Sequence, residues 1–202
     1  MRPSSLPVRL LGTALLALLG LTAASPAYAG GIGVLGTGGL HGDRVYGYSA
    51  NDAGTLKQDD PETQLNGNYG GGLELTLGDR DNRIVGVFRF FYLQDAAQSA
   101  PKVGEVYAVR ESTRDLGMFT GGLQWGLVGD PTRMQLTAVT LLGSGFLTGD
   151  FTEFALAEGG IGGTFNPNRH MQVFAEVTGG IRYRKRVEPT FNGTAGVRYL
   201  FD

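Results

Sequence analysis

From residue 30 to the end of the chain, apolar side chains alternate with polar ones or glycine in segments of about 9 to 14 residues, separated by turn-forming residues. A period of two sends neighbouring side chains to opposite faces of a strand. No segment sustains the helical period of 3.6, so the expected fold is all-β. In the last segment Phe191, Gly193, Ala195, Val197, Tyr199 and Phe201 share one face, while Asn192, Thr194, Gly196 and Arg198 share the other. The preceding segment repeats the pattern, with Met171, Val173, Ala175, Val177, Ile181 and Tyr183 set against Gln172, Glu176, Thr178 and Arg182. Eight strands are expected, near 31–41, 68–78, 83–93, 115–128, 133–145, 154–165, 171–183 and 191–201. Gly31 to Gly39 alternates least cleanly and leaves room for irregularity in the first strand.

The connections between these segments fall into two alternating classes. Three are tight polar turns, each closing on an arginine: Gly78 to Arg83, Gly129 to Arg133 and Asn166 to Arg169. The other four, about 42–67, 94–114, 146–153 and 184–190, vary in length. Short turns at one end and longer loops at the other are the layout of an up-and-down barrel in an outer membrane, with the turns towards the periplasm and the loops outside.

A bilayer offers backbone amides no water, so a sheet crosses it only when closed. The two faces of the segments fit that demand. One carries Leu73, Leu75, Leu77, Ile84, Phe88, Phe90, Tyr92, Phe119, Leu123, Trp125, Leu136, Ile161 and Val173, without a charge at mid-strand. The opposite face carries Glu74, Arg89, Glu158, Glu176, Arg182 and Arg198. A soluble sandwich would turn those charges to solvent. In a closed barrel the three carboxylates and three guanidinium groups point into a narrow lumen, where each needs a partner. The equal count therefore favours a closed eight-stranded antiparallel transmembrane barrel. Tyr69, Tyr92, Trp125, Phe165, Tyr183, Tyr199 and Phe201 fall near strand ends, as interfacial aromatic girdles would. Gly121-Gly122, Gly159-Gly160, Gly162-Gly163 and Gly179-Gly180 suit close packing beside large inward side chains.

Residues 1–29 read as a secretory leader, with Arg2 and Arg9 at its start, an apolar stretch from Leu10 to Leu21 and a small-x-small site at Ala27-Tyr28-Ala29. Cleavage after Ala29 would leave residues 30–202 as one barrel domain of the bacterial outer membrane. No later stretch reaches the roughly 20 apolar residues of a membrane helix. The chain has no cysteine, which removes disulfides, thiolate metal sites and a lipid-modified N-terminus. Two of its 17 Lys and Arg lie in the leader, so the remainder carries a net charge of about −4, with no basic patch pointing to nucleic acid.

With its leader, its eight-segment meander and its final run Phe191 to Phe201, the chain resembles small outer-membrane barrels of the OmpA and OmpX type along all of residues 30–202. The resemblance implies that Val197, Tyr199 and Phe201, at alternate positions of the last strand, are read by the barrel assembly machinery. Here Asp202 follows the terminal phenylalanine of that pattern. No peptidoglycan-binding domain is seen after the barrel, so an anchoring role is not implied.

Other motifs carry less. Gly31-Ile32-Gly33-Val34-Leu35-Gly36 matches a dinucleotide-binding fingerprint but lacks the preceding strand and following helix that give it meaning. Asn192-Gly193-Thr194, a formal glycosylation sequon, lies inside the last strand. The two histidines differ in setting: His170 follows a short turn, whereas His41 enters the first long loop near Asp43 and Ser49, where an outward-facing triad is conceivable. Asp59-Asp60-Pro61-Glu62 has the oxygen chemistry of a divalent-cation site and equally that of a solvated loop. Arg182, Arg184, Lys185 and Arg186 approach the outer rim, where Arg184, Lys185 and Arg186 are candidates for lipopolysaccharide phosphate contact.

These readings converge on a non-enzymatic barrel with a plugged polar lumen, structural or interaction-mediating, whose long loops present a surface for adhesion or an envelope protein partner. No cofactor and no metal is expected. A narrow pore is the alternative, and a lipid-modifying or proteolytic barrel enzyme using His41 stands behind it.

Overall fold

The computed structural model describes residues 30–45, 48–50, 56–58, 62–78, 82–99, 102–103, 106–107, 110–147, 152–183 and 187–201, and within the outer strand extensions it defines the backbone without the side chains. The leader lies outside the described residues. The strands are β1 (Gly30–Val45), β2 (Tyr48–Ala50), β3 (Leu56–Gln58), β4 (Glu62–Leu77), β5 (Ile84–Ser99), β6 (Lys102–Val103), β7 (Val106–Tyr107), β8 (Arg110–Asp130), β9 (Met134–Leu147), β10 (Thr152–Phe165), β11 (Met171–Tyr183) and β12 (Val187–Leu200).

Eight of them, in the order β1-β12-β11-β10-β9-β8-β5-β4, form a closed barrel in which every neighbouring pair is antiparallel. Closure runs through β1, which pairs with β12 from Gly31↔Leu200 to His41↔Thr190 and with β4 from Gly30↔Leu77 to Val45↔Glu62. The glycine-rich first strand is thus regular along its length, not partly irregular. One bulge interrupts the β8–β9 ladder between Gly126 and Val128.

The long connections differ from expectation. β1 and β4 remain paired out to Val45↔Glu62, and β5 and β8 out to Ser99↔Arg110, well into segments expected to be loop. Beyond them a second, four-stranded sheet of order β3-β2-β6-β7 joins the 42–67 and 94–114 connections. These extensions carry few apolar residues, so no alternation marks them, yet backbone pairing continues without one. β12 likewise starts at Val187 and contains Pro189. Its pairing with β1 stops at Thr190, whereas its pairing with β11 runs on to Val187. Pro189 therefore sits where one side of the strand is an open edge, a place that tolerates a missing N–H.

Two tight turns use glycine at positive φ, Gly78 at 131° and Gly129 at 109°, a region costly for side chains with a Cβ. Asp130 shapes its turn by accepting from the Thr132 N–H (2.8 Å), and Asn168 does the same for His170 (2.9 Å).

Side-chain direction follows the period of two. Ile32, Val34, Leu73, Phe88, Phe119, Leu123, Leu136, Ile161, Val173 and Val197 stand exposed on the outside, while Glu74, Arg89, Thr120, Gln124, Glu176 and Arg198 are buried inside. Leu75, Phe90 and Trp125 also point outward, partly covered by neighbours. Exposed aromatics stand towards both ends, with Phe165, Tyr199 and Phe201 towards the tight turns and Tyr69, Tyr92 and Tyr183 towards the long connections, while Phe88 and Phe119 lie between them.

Candidate functional site

Among the described residues, charge is gathered away from solvent in the interior. Lumen-facing positions on β4, β5, β11 and β12 supply Glu74, Arg89, Glu176 and Arg198, all at most 6 % exposed. Glu74 and Arg89 face each other directly across the β4–β5 ladder. Arg89 Nε donates to Glu74 Oε2 at 2.7 Å, while its two terminal nitrogens donate to the two carboxylate oxygens of Glu176, Nη2 at 2.9 Å. Arg198 donates from Nε to Glu74 Oε1 and from Nη2 to Glu74 Oε2 at 3.2 Å. Its Nη1 donates to Gln172 Oε1 at 2.7 Å. Two carboxylates and two guanidinium groups thus saturate one another in a chain Glu176–Arg89–Glu74–Arg198. Paired, bidentate geometry of this kind is what keeps buried charge tolerable.

Glycine makes room for these side chains. A Cβ on Gly33 would stand 3.0 Å from Arg198 Cγ and 2.8 Å from the Val197 carbonyl oxygen, and one on Gly162 would stand 2.6 Å from Glu176 Cβ. A larger residue at either position would displace the charged network.

The remaining two expected lumen charges do not join that chain. Glu158 is buried among neutral donors: Thr178 Oγ1 and Thr190 Oγ1 at 3.1 Å each, and Asn192 Nδ2 at 2.6 Å. Arg182 pairs instead with Glu188, its Nε and Nη2 each 2.9 Å from Glu188 Oε2, and lies 5.2 Å over the Phe154 ring. Glu188 escaped the sequence reading because its segment was expected to be loop. In β12 it faces Arg182 across the ladder.

The interior is also not uniformly polar. Leu35, Phe91, Leu93, Leu116, Met118, Phe154, Leu156 and Phe174 form a buried apolar cluster. Phe174 links it to the charges, since the Arg198 guanidinium lies 4.1 Å and that of Arg89 5.6 Å from its ring centroid. Phe90-Phe91-Tyr92-Leu93 is a continuous apolar run, so its inward half is hidden from a reading based on contrast between faces.

His41 turns into the lumen at its loop end, 2 % exposed, with Nε2 3.4 Å from Asp95 Oδ1. Asn66 faces it across β1–β4, and Asn68 faces Asp95 across β4–β5. Among the described residues, His41 Nδ1, Asn66 Nδ2 and Asn68 Oδ1 have no hydrogen-bond partner. Thr190, opposite His41 on β12, gives its hydroxyl to Glu158. A histidine–carboxylate pair is present, but the triad partners considered for it, the side chains of Asp43 and Ser49, lie outside the described residues. So do Asp59, Asp60, Pro61, the Glu62 side chain, Arg184, Lys185, Arg186 and Asp202. Among the described residues no three His, Asp or Glu side chains gather as a metal-holding group.

At the turn end a cavity of about 50 Å³ is lined by Thr76, Gln124, Gln135, Thr164 and Gln172, with Arg198 among them. Val197 and Tyr199 are exposed outside the last strand, and the Phe201 N–H donates to the Gly30 carbonyl at 2.7 Å, tying the chain end to β1. His170 stacks on Tyr199 with ring centroids 5.8 Å apart.

No protein-family model matches this sequence, and none of the curated proteins matches it either.

Proposed function

We propose that the chain is a non-enzymatic outer-membrane barrel of the small OmpA and OmpX kind, with a plugged lumen, acting as a structural or interaction protein through its long connections. The observation that carries this reading is the opposition of the two surfaces. Apolar side chains cover the outside of a closed sheet, and the interior is filled by the Glu176–Arg89–Glu74–Arg198 chain and the apolar cluster beside it. An eight-stranded barrel encloses a space that side chains fill, and here the charged chain and the apolar cluster lie within it. A closed sheet satisfies its own backbone, which is the condition for residence in hydrocarbon.

On this reading the membrane partners are outer-membrane lipid and lipopolysaccharide, the assembly machinery engages Val197, Tyr199 and Phe201, and the second sheet β3-β2-β6-β7 supports the partner-facing surface. The test is current through planar bilayers containing the folded chain. The plugged barrel gives no stable conductance steps, whereas regular steps abolished by filling the lumen further would establish a pore. A pull-down from detergent-solubilised envelopes then identifies what the long connections hold.

A further inference from the structure

The cavity at the turn end contains a buried acceptor that the charged lumen chain does not use. It measures about 50 Å³, room for a few water molecules. Exposed Asn82, Arg83 and Phe201 stand at its mouth, and buried Gln124 and Arg198 line it further in. Gln124 is 5 % exposed, and among the described residues its Oε1 has no hydrogen-bond partner. A buried acceptor without a donor is unfavourable, so this oxygen calls for a donor on a bound group. Its neighbours have the opposite polarity. Gln172 Oε1 accepts from Arg198 Nη1 at 2.7 Å, so what Gln172 can offer a ligand is its N–H groups. The Gln135 amide lies over Gly126, where a Cβ would stand 2.0 Å from Nε2, and so fills the space of the missing side chain. The walls are pinned. Gly126 N–H donates to the Arg83 carbonyl at 2.6 Å, Phe201 N–H to the Gly30 carbonyl at 2.7 Å and Asn166 Nδ2 to the Pro131 carbonyl at 2.6 Å. The β8–β9 bulge between Gly126 and Val128 adjoins them, a device that re-aims side chains beside sites.

We propose that this cavity is a binding site for one hydrogen phosphate ion entering from the turn side. Among the described residues, Arg83 and Arg198 line it and no carboxylate does. Glu74 offsets the charge of Arg198. Arg83 stands outside the lumen's charged chain, and alternation turns it to the lumen side, away from outward Ile84. Its charge favours an anion and disfavours an ammonium or metal cation as the partner of Gln124. Hydrogen phosphate is an anion that carries a donor. Its P–OH group donates to Gln124 Oε1, while its other oxygens accept from Arg83 and from the Gln172 and Gln135 amides. Sulfate, unprotonated at neutral pH, has no such donor and leaves Gln124 Oε1 without a partner. The small volume admits a phosphate without a substituent, so the ligand is the free ion and not a phosphate ester. The site requires the closed barrel alone and stands apart from the membrane reading and from whether the lumen conducts.

The test is isothermal titration calorimetry of the full chain, folded in a maltoside detergent without phosphate, against sodium phosphate at neutral pH and constant ionic strength. Circular dichroism checks the β-sheet of each variant. The wild type binds one phosphate per chain, and binds sulfate and glycerol phosphate about tenfold more weakly. Arg83→Gln weakens phosphate and sulfate alike, by about tenfold, and keeps the preference between them. Gln124→Leu leaves sulfate binding as it is and loses the preference. Should Gln124→Leu not fold, the comparison of phosphate with sulfate on the wild type and on the exposed-site variant Arg83→Gln still decides. Phosphate heats that do not saturate would mean that the cavity holds water only, and overturn the proposal. So would equal affinity for phosphate and sulfate, or a folded Gln124→Leu variant that retains the preference. Glycerol phosphate bound as tightly as the free ion would overturn it as well, because the site would then take phosphate esters.

Discussion

The charged groups in the middle of the lumen and the polar groups at its loop end are held in opposite ways. In the middle, Glu74, Arg89, Glu176 and Arg198 occupy one another's hydrogen-bonding capacity, and Phe174 lies against both guanidinium groups. At the loop end, His41, Asn66 and Asn68 are drawn inward without that saturation, with no partner for His41 Nδ1, Asn66 Nδ2 or Asn68 Oδ1 among the described residues. A buried pair that is broken leaves an uncompensated charge, whereas a polar atom already without a partner has little to lose. The middle layer should therefore hold the barrel together, and the loop end should contribute little to its stability.

Three substitutions sharpen or break that contrast, each read as the shift in urea unfolding of the folded chain followed by its single tryptophan, Trp125. Arg89→Met removes the residue that joins both carboxylates and leaves Glu176 without its bidentate partner. The expected loss is about 3–5 kcal/mol, and a loss below about 1 kcal/mol would mean that the charged chain is not structural. Glu158→Gln exchanges an anion held by neutral donors for an amide that retains one acceptor oxygen, so about 1 kcal/mol is expected. Asn66→Leu deletes a buried amide with an unpartnered nitrogen and should stay within about 1 kcal/mol of wild type. If Asn66→Leu proved as damaging as Arg89→Met, the distinction between the two regions would fall.

The barrel was legible in the sequence because its inward and outward residues differ in kind. Val173 against Gln172, or Val197 against Arg198, announces both a strand and its orientation. Where the faces do not differ, the reading fails for a physical reason. Phe91 and Leu93 are as apolar inside as Phe90 and Tyr92 outside, so the apolar part of the lumen was invisible. The extensions to Val45, Ser99 and Arg110 are held by backbone pairing that leaves no mark in side-chain pattern. The start of β12 at Val187 fell in a segment expected to be loop, because the tolerance of Pro189 depends on an open strand edge, a property of register and not of composition. Among the charges, sequence parity placed all six inside, but it could not show which would meet. Ladder register brings Glu74 to Arg89 and Arg182 to Glu188.

The central claim is that alternate residues of one strand face hydrocarbon and a packed interior. Because the chain contains no cysteine, single cysteines can be placed one at a time from Met118 to Gln124 in β8, spin-labelled, and measured for collision with oxygen after reconstitution into bilayers. The account predicts high oxygen contact at Phe119, Gly121 and Leu123, low contact at Met118, Thr120, Gly122 and Gln124, and little access of a water-soluble relaxant at the outward positions. Outward labels that meet the water-soluble relaxant as freely as oxygen, or a profile without alternation, would contradict it.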